Sequence, residues 1–297
     1  MKKISYFSYK GGAGRSSLAY NTIPFIAEKL GATPEHPILL LDLDIDSAGM
    51  TFLLGCGNLD SNTYSVQDVI NGNLLGLTRT PDDTPLSAHP FFNHLIPVGD
   101  RFGLKGNNNR SILFLPIKTV SEVSLKTSFD APSNSLVKVV KMAELYDCKA
   151  IIFDTPTGDQ LTAKWAFDIS KEIVTAMKIT YQFREGTLNF LRRKDREYGE
   201  RNFIIVPNCV PRDPIYIDGN LFNYTIVRND IKDNLLLSIK NNKVNVEMLE
   251  GEKFGVPEVK RFKLKEGIIY TLAPEKLTPD ELEALDSYKH VVDIICR

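Results

Sequence analysis

Residues 8–17, Ser-Tyr-Lys-Gly-Gly-Ala-Gly-Arg-Ser-Ser, place three glycines, two cations and three serines within ten positions. Residue types in that pattern suit the holding of a polyphosphate. Gly11, Gly12 and Gly14 carry no Cβ, so a backbone can close on phosphate oxygens and turn successive N–H groups toward them, with Ala13 between them the one small side chain. Lys10 and Arg15 add positive charge on either side of the glycines. A helix over 18–30, following Arg15, Ser16 and Ser17, would bring its N-terminal partial charge to the same place, and the Ser16 hydroxyl stands where a loop-to-helix residue ligates Mg²⁺. The plainer alternative is a glycine-rich turn with basic neighbours.

A second group of candidates is acidic. Residues 37–46 form an apolar run that breaks into Asp42, Asp44 and Asp46, and residues 149–158 repeat the design, with an apolar run ending in Asp154. Carboxylates at the C-terminal ends of buried strands lie where open α/β sheets carry their ligand chemistry. A carboxylate accepts hydrogen bonds from water and is a hard oxygen donor, so it can orient a nucleophilic water or hold Mg²⁺ through its water shell. Asp46 reads equally well as the solvated end of a turn.

Lys10 to Ser16 resembles the deviant Walker A motif, Lys-Gly-Gly-x-Gly-Lys-Ser/Thr, of the ParA/MinD family of partition and positioning ATPases, a SIMIBI-class branch of the P-loop proteins. Two departures are visible: Tyr9 stands where the general pattern has its first Gly, and Arg15 where it has Lys. The Leu-Leu-Leu-Asp-Leu-Asp run resembles the family's second motif, and Asp154-Thr155-Pro156-Thr157-Gly158 its Walker B strand and continuation. The resemblance implies ATP and Mg²⁺ as cofactors, with Ser16, Asp42 and Asp154 on the metal side and Asp44 orienting the attacking water. It implies a homodimer that sandwiches two ATP molecules, with Lys10 reaching the partner's phosphates as a catalytic cation. By the same resemblance Asn208, at the end of the run 203–210, reads the adenine edge, although Asn also commonly ends strands. Pro257, in Phe254-Gly255-Val256-Pro257, falls in a second, weakly matching base-contacting segment. The family's Pro-Gln-Gly after the second motif is absent, and 45–49 read Ile-Asp-Ser-Ala-Gly.

These residues need a scaffold. The apolar runs 4–7, 38–42, 111–117, 149–154, 172–179 and 203–210 read as strands buried on both faces of a parallel sheet. Between them 18–30, 135–146, 161–167 and 187–198 read as helices, the first with Pro24 inside and Gly31 at its end. Ser65 caps a short helix, and Thr278-Pro279-Asp280-Glu281 is a capping box opening a last one. The expected fold is therefore a doubly wound, mostly parallel sheet flanked by helices, the P-loop NTPase fold. One domain spans 1–297, with a variable insertion at about 55–132 and a divergent C-terminal segment at about 212–297. Within the insertion the polar stretches 78–90 and 101–110 suggest surface loops that form a lid or a partner site. His89 and His94 read as surface or satisfied histidines.

The chain has 297 residues, 43% hydrophobic and 25% charged, with a formal net charge of −1, so a globally basic nucleic-acid binder is not indicated. Cys56, Cys148, Cys209 and Cys296 are too scattered for a disulfide scaffold or a zinc site, and a reducing cytoplasm fits best. No stretch reaches the length of a membrane span and no targeting segment is read; the acidic start of the last helix argues against a basic membrane-surface helix. Two functions stay open. The first is a slowly hydrolysing, ATP-dependent dimerisation switch that positions cargo on DNA; its candidate basic faces are Arg192, Arg193, Lys194, Arg196 and Arg201, or Lys260, Arg261, Lys263 and Lys265. Those faces read more readily as solvated surfaces balanced by Asp195, Glu197, Glu200 and Glu258. The second is a regulatory or scaffold ATP-binding subunit of a bacterial multi-protein system, such as a defence system, with little or no turnover. Either would use a protein partner, and nonspecific DNA is left open.

Overall fold

A computed structural model describes residues 1–59, 63–73, 85–104, 106–118, 131–197, 200–212, 216–217, 220–221, 228–234, 244–248, 255–263 and 274–297. Much of the 55–132 insertion, together with Phe254, Lys265 and the helix end expected at Gly199, lies outside the described residues.

Strands β1 (Lys2–Phe7), β2 (Ile38–Asp42), β3 (Ile96–Pro97), β4 (Ile112–Leu115), β5 (Ala150–Asp154), β6 (Glu172–Met177), β7 (Arg201–Pro207) and β10 (Val244–Met248) form an eight-stranded sheet among the described residues, ordered β10-β7-β6-β1-β5-β2-β4-β3. A small hairpin, β8 (Tyr216–Ile217) with β9 (Asn220–Leu221), stands apart from it. The helices include α1 (Arg15–Leu30), α2 (Gly49–Leu53), α3 (Val66–Ile70), α4 (Pro90–Asn93), α5 (Ala131–Leu145), α6 (Leu161–Ile169), α7 (Tyr181–Glu197) and α8 (Pro279–Cys296). The pairs β2–β5, β2–β4, β6–β7 and β7–β10 are parallel, and the two-residue β3 is an antiparallel edge on β4. The expected doubly wound architecture is present. Every residue of β2, β4, β5 and β6 is buried, which explains why those strands are continuous apolar runs rather than alternating ones.

Two compact units divide the chain, the division passing through β1: residues 1–5, 26–156 and 160–170 make the first, and 6–25, 157–159 and 171–297 the second. In the first unit, one face of the sheet presents Leu39, Leu41, Leu113, Leu115, Ile151 and Phe153, every second residue of β2, β4 and β5. Against it pack Val66 and Val69 of α3, Leu136 and Val139 of α5, and Trp165 and Ala166 of α6. The expected Ser65 cap is a full capping box with Asp68. In the second unit Phe190 of α7 stacks on Phe7, with centroids 4.4 Å apart, and meets Phe203 of β7 edge-on. The Thr278–Glu281 capping box opens α8 as expected, and its inner face, Ala284, Tyr288, Val291, Val292 and Ile295, is buried.

Three expectations need correction. Helix α7 begins at Tyr181, six residues before the expected Thr187. Gly186 lies inside this helix, and the Tyr9 ring fills the space where a Cβ would be. Helix α5 likewise starts at Ala131 rather than Ser135. The described part of the insertion is core as well as surface: Phe91, Phe92 and Phe102 are fully buried, and His89 is buried with its ring against Phe92 and Tyr146. Aromatic anchors spaced through a polar stretch escape a reading by average polarity.

Candidate functional site

The glycine loop belongs to the second unit. It follows β1 directly, and Gly12 (φ 81°) and Gly14 (φ 76°) both adopt the left-handed backbone that only glycine takes without strain. Gly11 and Gly12 are exposed, and a Cβ on either would meet nothing within 4 Å, so the floor of the loop is open space of the kind a phosphate could fill. Gly14 differs: a Cβ there would lie 2.6 Å from Asn208 Nδ2. Asn208 Nδ2 donates to the carbonyl oxygens of Ala13 (2.8 Å) and Gly14 (3.3 Å), so this asparagine clamps the loop from the end of β7. The Ser8 carbonyl accepts from the Gly158 N–H at 3.1 Å, which fixes the other end of the loop.

The two cations are placed differently. Lys10 is exposed; its ammonium donates to Gln182 Oε1 at 2.6 Å and lies 5.5 Å from the Phe183 ring centroid, so it rests on the first turn of α7. Arg15 opens α1 and is buried, with Nη2 donating to Ser16 Oγ at 3.2 Å. Its guanidinium is drawn against the helix start, where a fork and a compact ammonium are not equivalent.

Beside the loop lies a cavity of about 300 Å³. Gly14, Ser17 and Leu18 line it from the loop and α1, Asn208 and Cys209 from the end of β7, Pro257 and Phe262 from the strap 255–262, and Tyr288 from α8. The expected base-contacting residues Asn208 and Pro257 thus share one cavity. The strap is pinned in place by a parallel bridge between Val210 and Pro257 and by the Val256 N–H on the Pro207 carbonyl at 2.8 Å. Its Gly255 (φ 70°) is needed because a Cβ would lie 2.5 Å from the same carbonyl.

The acidic residues belong to the first unit. Asp42 and Asp154 are register partners at the ends of β2 and β5, both fully buried. Asp42 Oδ1 accepts from the Asp44 N–H at 3.1 Å, and Oδ2 accepts from both the N–H and the hydroxyl of Thr51 at 2.9 Å. The Thr51 hydroxyl in turn accepts from the Ile117 N–H at 3.1 Å, tying α2 and the end of β4 to the carboxylate. Burial, reinforced by the neighbouring Asp154 charge, pushes the Asp42 carboxyl up to about 8. Asp44 is buried too and accepts from the Ser47 hydroxyl at 2.5 Å and the Ser47 N–H at 3.3 Å, while Asp46 is exposed. Ser47 and Thr51 carry no motif of their own and were missed by the sequence reading.

No protein-family model and no curated protein sequence matches the chain. Solved structures do. An apo McdA of Cyanothece aligns with 100% of each chain at TM-score 0.62 and 13% identity. A ParA family ATPase from Chlorobium tepidum also aligns over 100% of each chain, at TM-score 0.62 and 14% identity. The MinD of Pyrococcus horikoshii in complex with Mg-ADP covers 99% of this chain and 95% of its own, at TM-score 0.57 and 17% identity. The chain has the fold of the ParA/MinD ATPases. Within that fold, the glycine loop follows the first strand in sequence, and Asp42 and Asp154 end two paired parallel strands.

Its donor set suits Mg²⁺ in a particular way. No group of three or more His, Cys, Asp or Glu among the described residues could cage a metal by itself. One or two carboxylates and a hydroxyl, completed by phosphate oxygens and water, are the usual protein share of a Mg²⁺ shell. Among the described residues, both candidate basic faces include cations paired with acids. Arg193 and Lys194 pair with Asp159, Lys194 also with Glu197, and Arg261 with Glu281. The Lys263 side chain and Lys265 lie outside the described residues. Among the described residues no helix is long and apolar enough to cross a membrane.

Proposed function

We propose that the chain is a ParA/MinD-type ATPase: it binds Mg²⁺-ATP, dimerises around it and hydrolyses it slowly. The observation that carries this reading is the loop, an open left-handed glycine turn leading into a helix N-terminus and clamped by Asn208 at the mouth of a base-sized cavity. In this reading Gly11 to Gly14 and the first N–H groups of α1 bind the phosphates, Asn208 and Pro257 flank the base, and Ser16, Asp42 and Asp154 hold Mg²⁺. The metal supplies neutralisation of phosphate charge. Asp44 orients water, and Lys10 leaves Gln182 to stabilise transition-state charge across the dimer. Arg15 keeps positive charge near the phosphates but, buried against Ser16, delivers it less directly than lysine, which is the reason for slow turnover.

The test is Mg²⁺-ATP turnover measured with solution mass for the wild type, Arg15→Lys and Lys10→Ala. The reading expects an ATP-dependent dimer, faster turnover with Arg15→Lys and none with Lys10→Ala. A mass that never responds to nucleotide, with Lys10→Ala silent, would replace the switch by a static ATP-binding scaffold. ATP-dependent, salt-sensitive retention on DNA would mark a cargo-positioning role.

A further inference from the structure

The C-terminal helix carries a residue to the cavity that no motif announces. Tyr288 of α8 is buried and lines the cavity with Asn208 and Pro257, and its hydroxyl has no hydrogen-bond partner among the described residues. Its place is fixed from several sides. Arg212 donates to Glu283 of α8 at 2.8 Å and to the Gly255 carbonyl at 3.1 Å, and Arg261 of the strap donates to Glu281 at 2.5 Å. The Ser287 hydroxyl, one position before Tyr288, adds a 3.4 Å contact to the Gly255 carbonyl. Strap and helix are thus fastened together around the cavity.

Among the polar groups offered to a ligand there, the Asn208 amide is oriented. The carbonyl oxygens of Ala13 and Gly14 can only accept, so the Asn208 amide nitrogen must face them, and Oδ1 is left as its second polar atom, with no partner among the described residues. Lys178 and Glu258 add charge to the lining, Ser17 a hydroxyl and Cys209 a thiol; beside Pro257, Val259 and Phe262, Asn208 Oδ1 is a fixed acceptor and the Tyr288 hydroxyl a rotatable group. Adenine answers this pattern with an exocyclic amino donor beside ring-nitrogen acceptors. Guanine puts a carbonyl oxygen where adenine has the amino group, setting acceptor against acceptor.

We propose that α8 forms a wall of the base site and that Tyr288, hydrogen-bonding the base beside Asn208 Oδ1, is a further base-binding residue: its rotatable hydroxyl adds affinity, while the fixed Asn208 acceptor separates adenine from guanine. This rests on the nucleotide-binding reading above.

Titrations of methylanthraniloyl-labelled ATP and GTP into the full chain, with competition by inorganic tripolyphosphate, separate the base from the phosphates. Wild type is expected to prefer ATP. Tyr288→Phe, which keeps the ring, should weaken ATP about threefold to tenfold, the worth of one neutral hydrogen bond, and leave the ATP/GTP ratio, set by Asn208 Oδ1, little changed. Tripolyphosphate should compete equally in both proteins. Tyr288→Leu should lose more, and if it fails to fold, the Phe variant decides alone. Unchanged ATP affinity in Tyr288→Phe, with a wild type that binds ATP, overturns the role of Tyr288 and leaves the functional reading standing. A wild type that binds neither nucleotide overturns both.

Discussion

The glycine loop and the carboxylate turn are built in opposite ways. The loop keeps its binding surface empty: Gly11 and Gly12 are exposed with nothing near a notional Cβ, and the side chain that shapes the loop, Asn208, grips it through backbone carbonyls from one side. The carboxylate turn is full. Asp42 is completely buried and both its oxygens accept from the chain's own groups, while Asp44 is held by Ser47. In the proposed function the first region is a receptor already in shape, so a ligand there would need little rearrangement. The other is a closed network, in which any metal or water must compete with internal donors.

The comparison breaks most readily at Gly14. Gly14→Ala forces a β-carbon into left-handed backbone and into the Asn208 amide, so the clamp and the loop cannot both persist. ATP affinity, followed by calorimetry, should fall by at least about 100-fold, which corresponds to about 3 kcal/mol. Unchanged affinity would show that the loop is not the preformed receptor described above. Gly11→Ala, at an open site with no positive φ, should cost far less stability than Gly14→Ala, which makes it the matched control.

The Asp42–Asp154 pair predicts the next largest effect, on stability against pH. The folded Asp42 carboxyl titrates near 8, well above its unfolded value, because burial and then the Asp154 charge disfavour ionisation. The folded chain therefore holds a proton that the unfolded chain releases, and stability falls as pH rises from the ordinary carboxylate range to about 8, then levels off. Thermal melts in chelator between pH 5 and pH 9 should show this slope, and Asp42→Asn, a fixed mimic of the protonated form, should flatten it. A wild type whose stability does not fall across that range would show that the turn is not a closed, charge-frustrated network.

How far each region was legible in the sequence follows from the same contrast. The loop and the strands that end in Asp42 and Asp154 are local: glycine spacing, apolar runs and a terminal acid are all contiguous, and the structure puts each on the expected element. The capping boxes at Ser65 and Thr278 were readable for the same reason, since both partners lie three residues apart. What was not legible acts over distance. Thr51 meets Asp42 across nine residues and Ile117 across 66. Gly186 lies against the Tyr9 ring, and Tyr288 reaches the cavity from the far end of the chain. None of these contacts leaves a period or a motif.

Thr51→Val tests the network from its distant member. The substitution keeps the shape and the backbone N–H but removes the hydroxyl that donates to Asp42 and accepts from Ile117. A buried carboxylate then loses a donor and a buried amide its acceptor, a loss of about 1–3 kcal/mol in chelator melts. Because the variant leaves Asp42 less well satisfied when ionised, the penalty should grow from pH 5 to pH 9. A penalty independent of pH would mean that the hydroxyl serves Ile117 alone.

The smallest effect is expected at Ser47, and it separates stability from turnover. Ser47 is exposed, and its N–H still donates to the buried Asp44 when the hydroxyl of the 2.5 Å hydrogen bond is removed, so Ser47→Ala should change stability by less than about 1 kcal/mol. Turnover responds differently if Asp44 orients the attacking water, because Ser47 competes with that water for the carboxylate. Removing the hydroxyl should raise turnover by about twofold to threefold with ATP affinity unchanged, whereas a Ser47 that holds Asp44 in its working position would lower it. The sign of that change decides whether the closed turn restrains the Asp44 carboxylate or positions it.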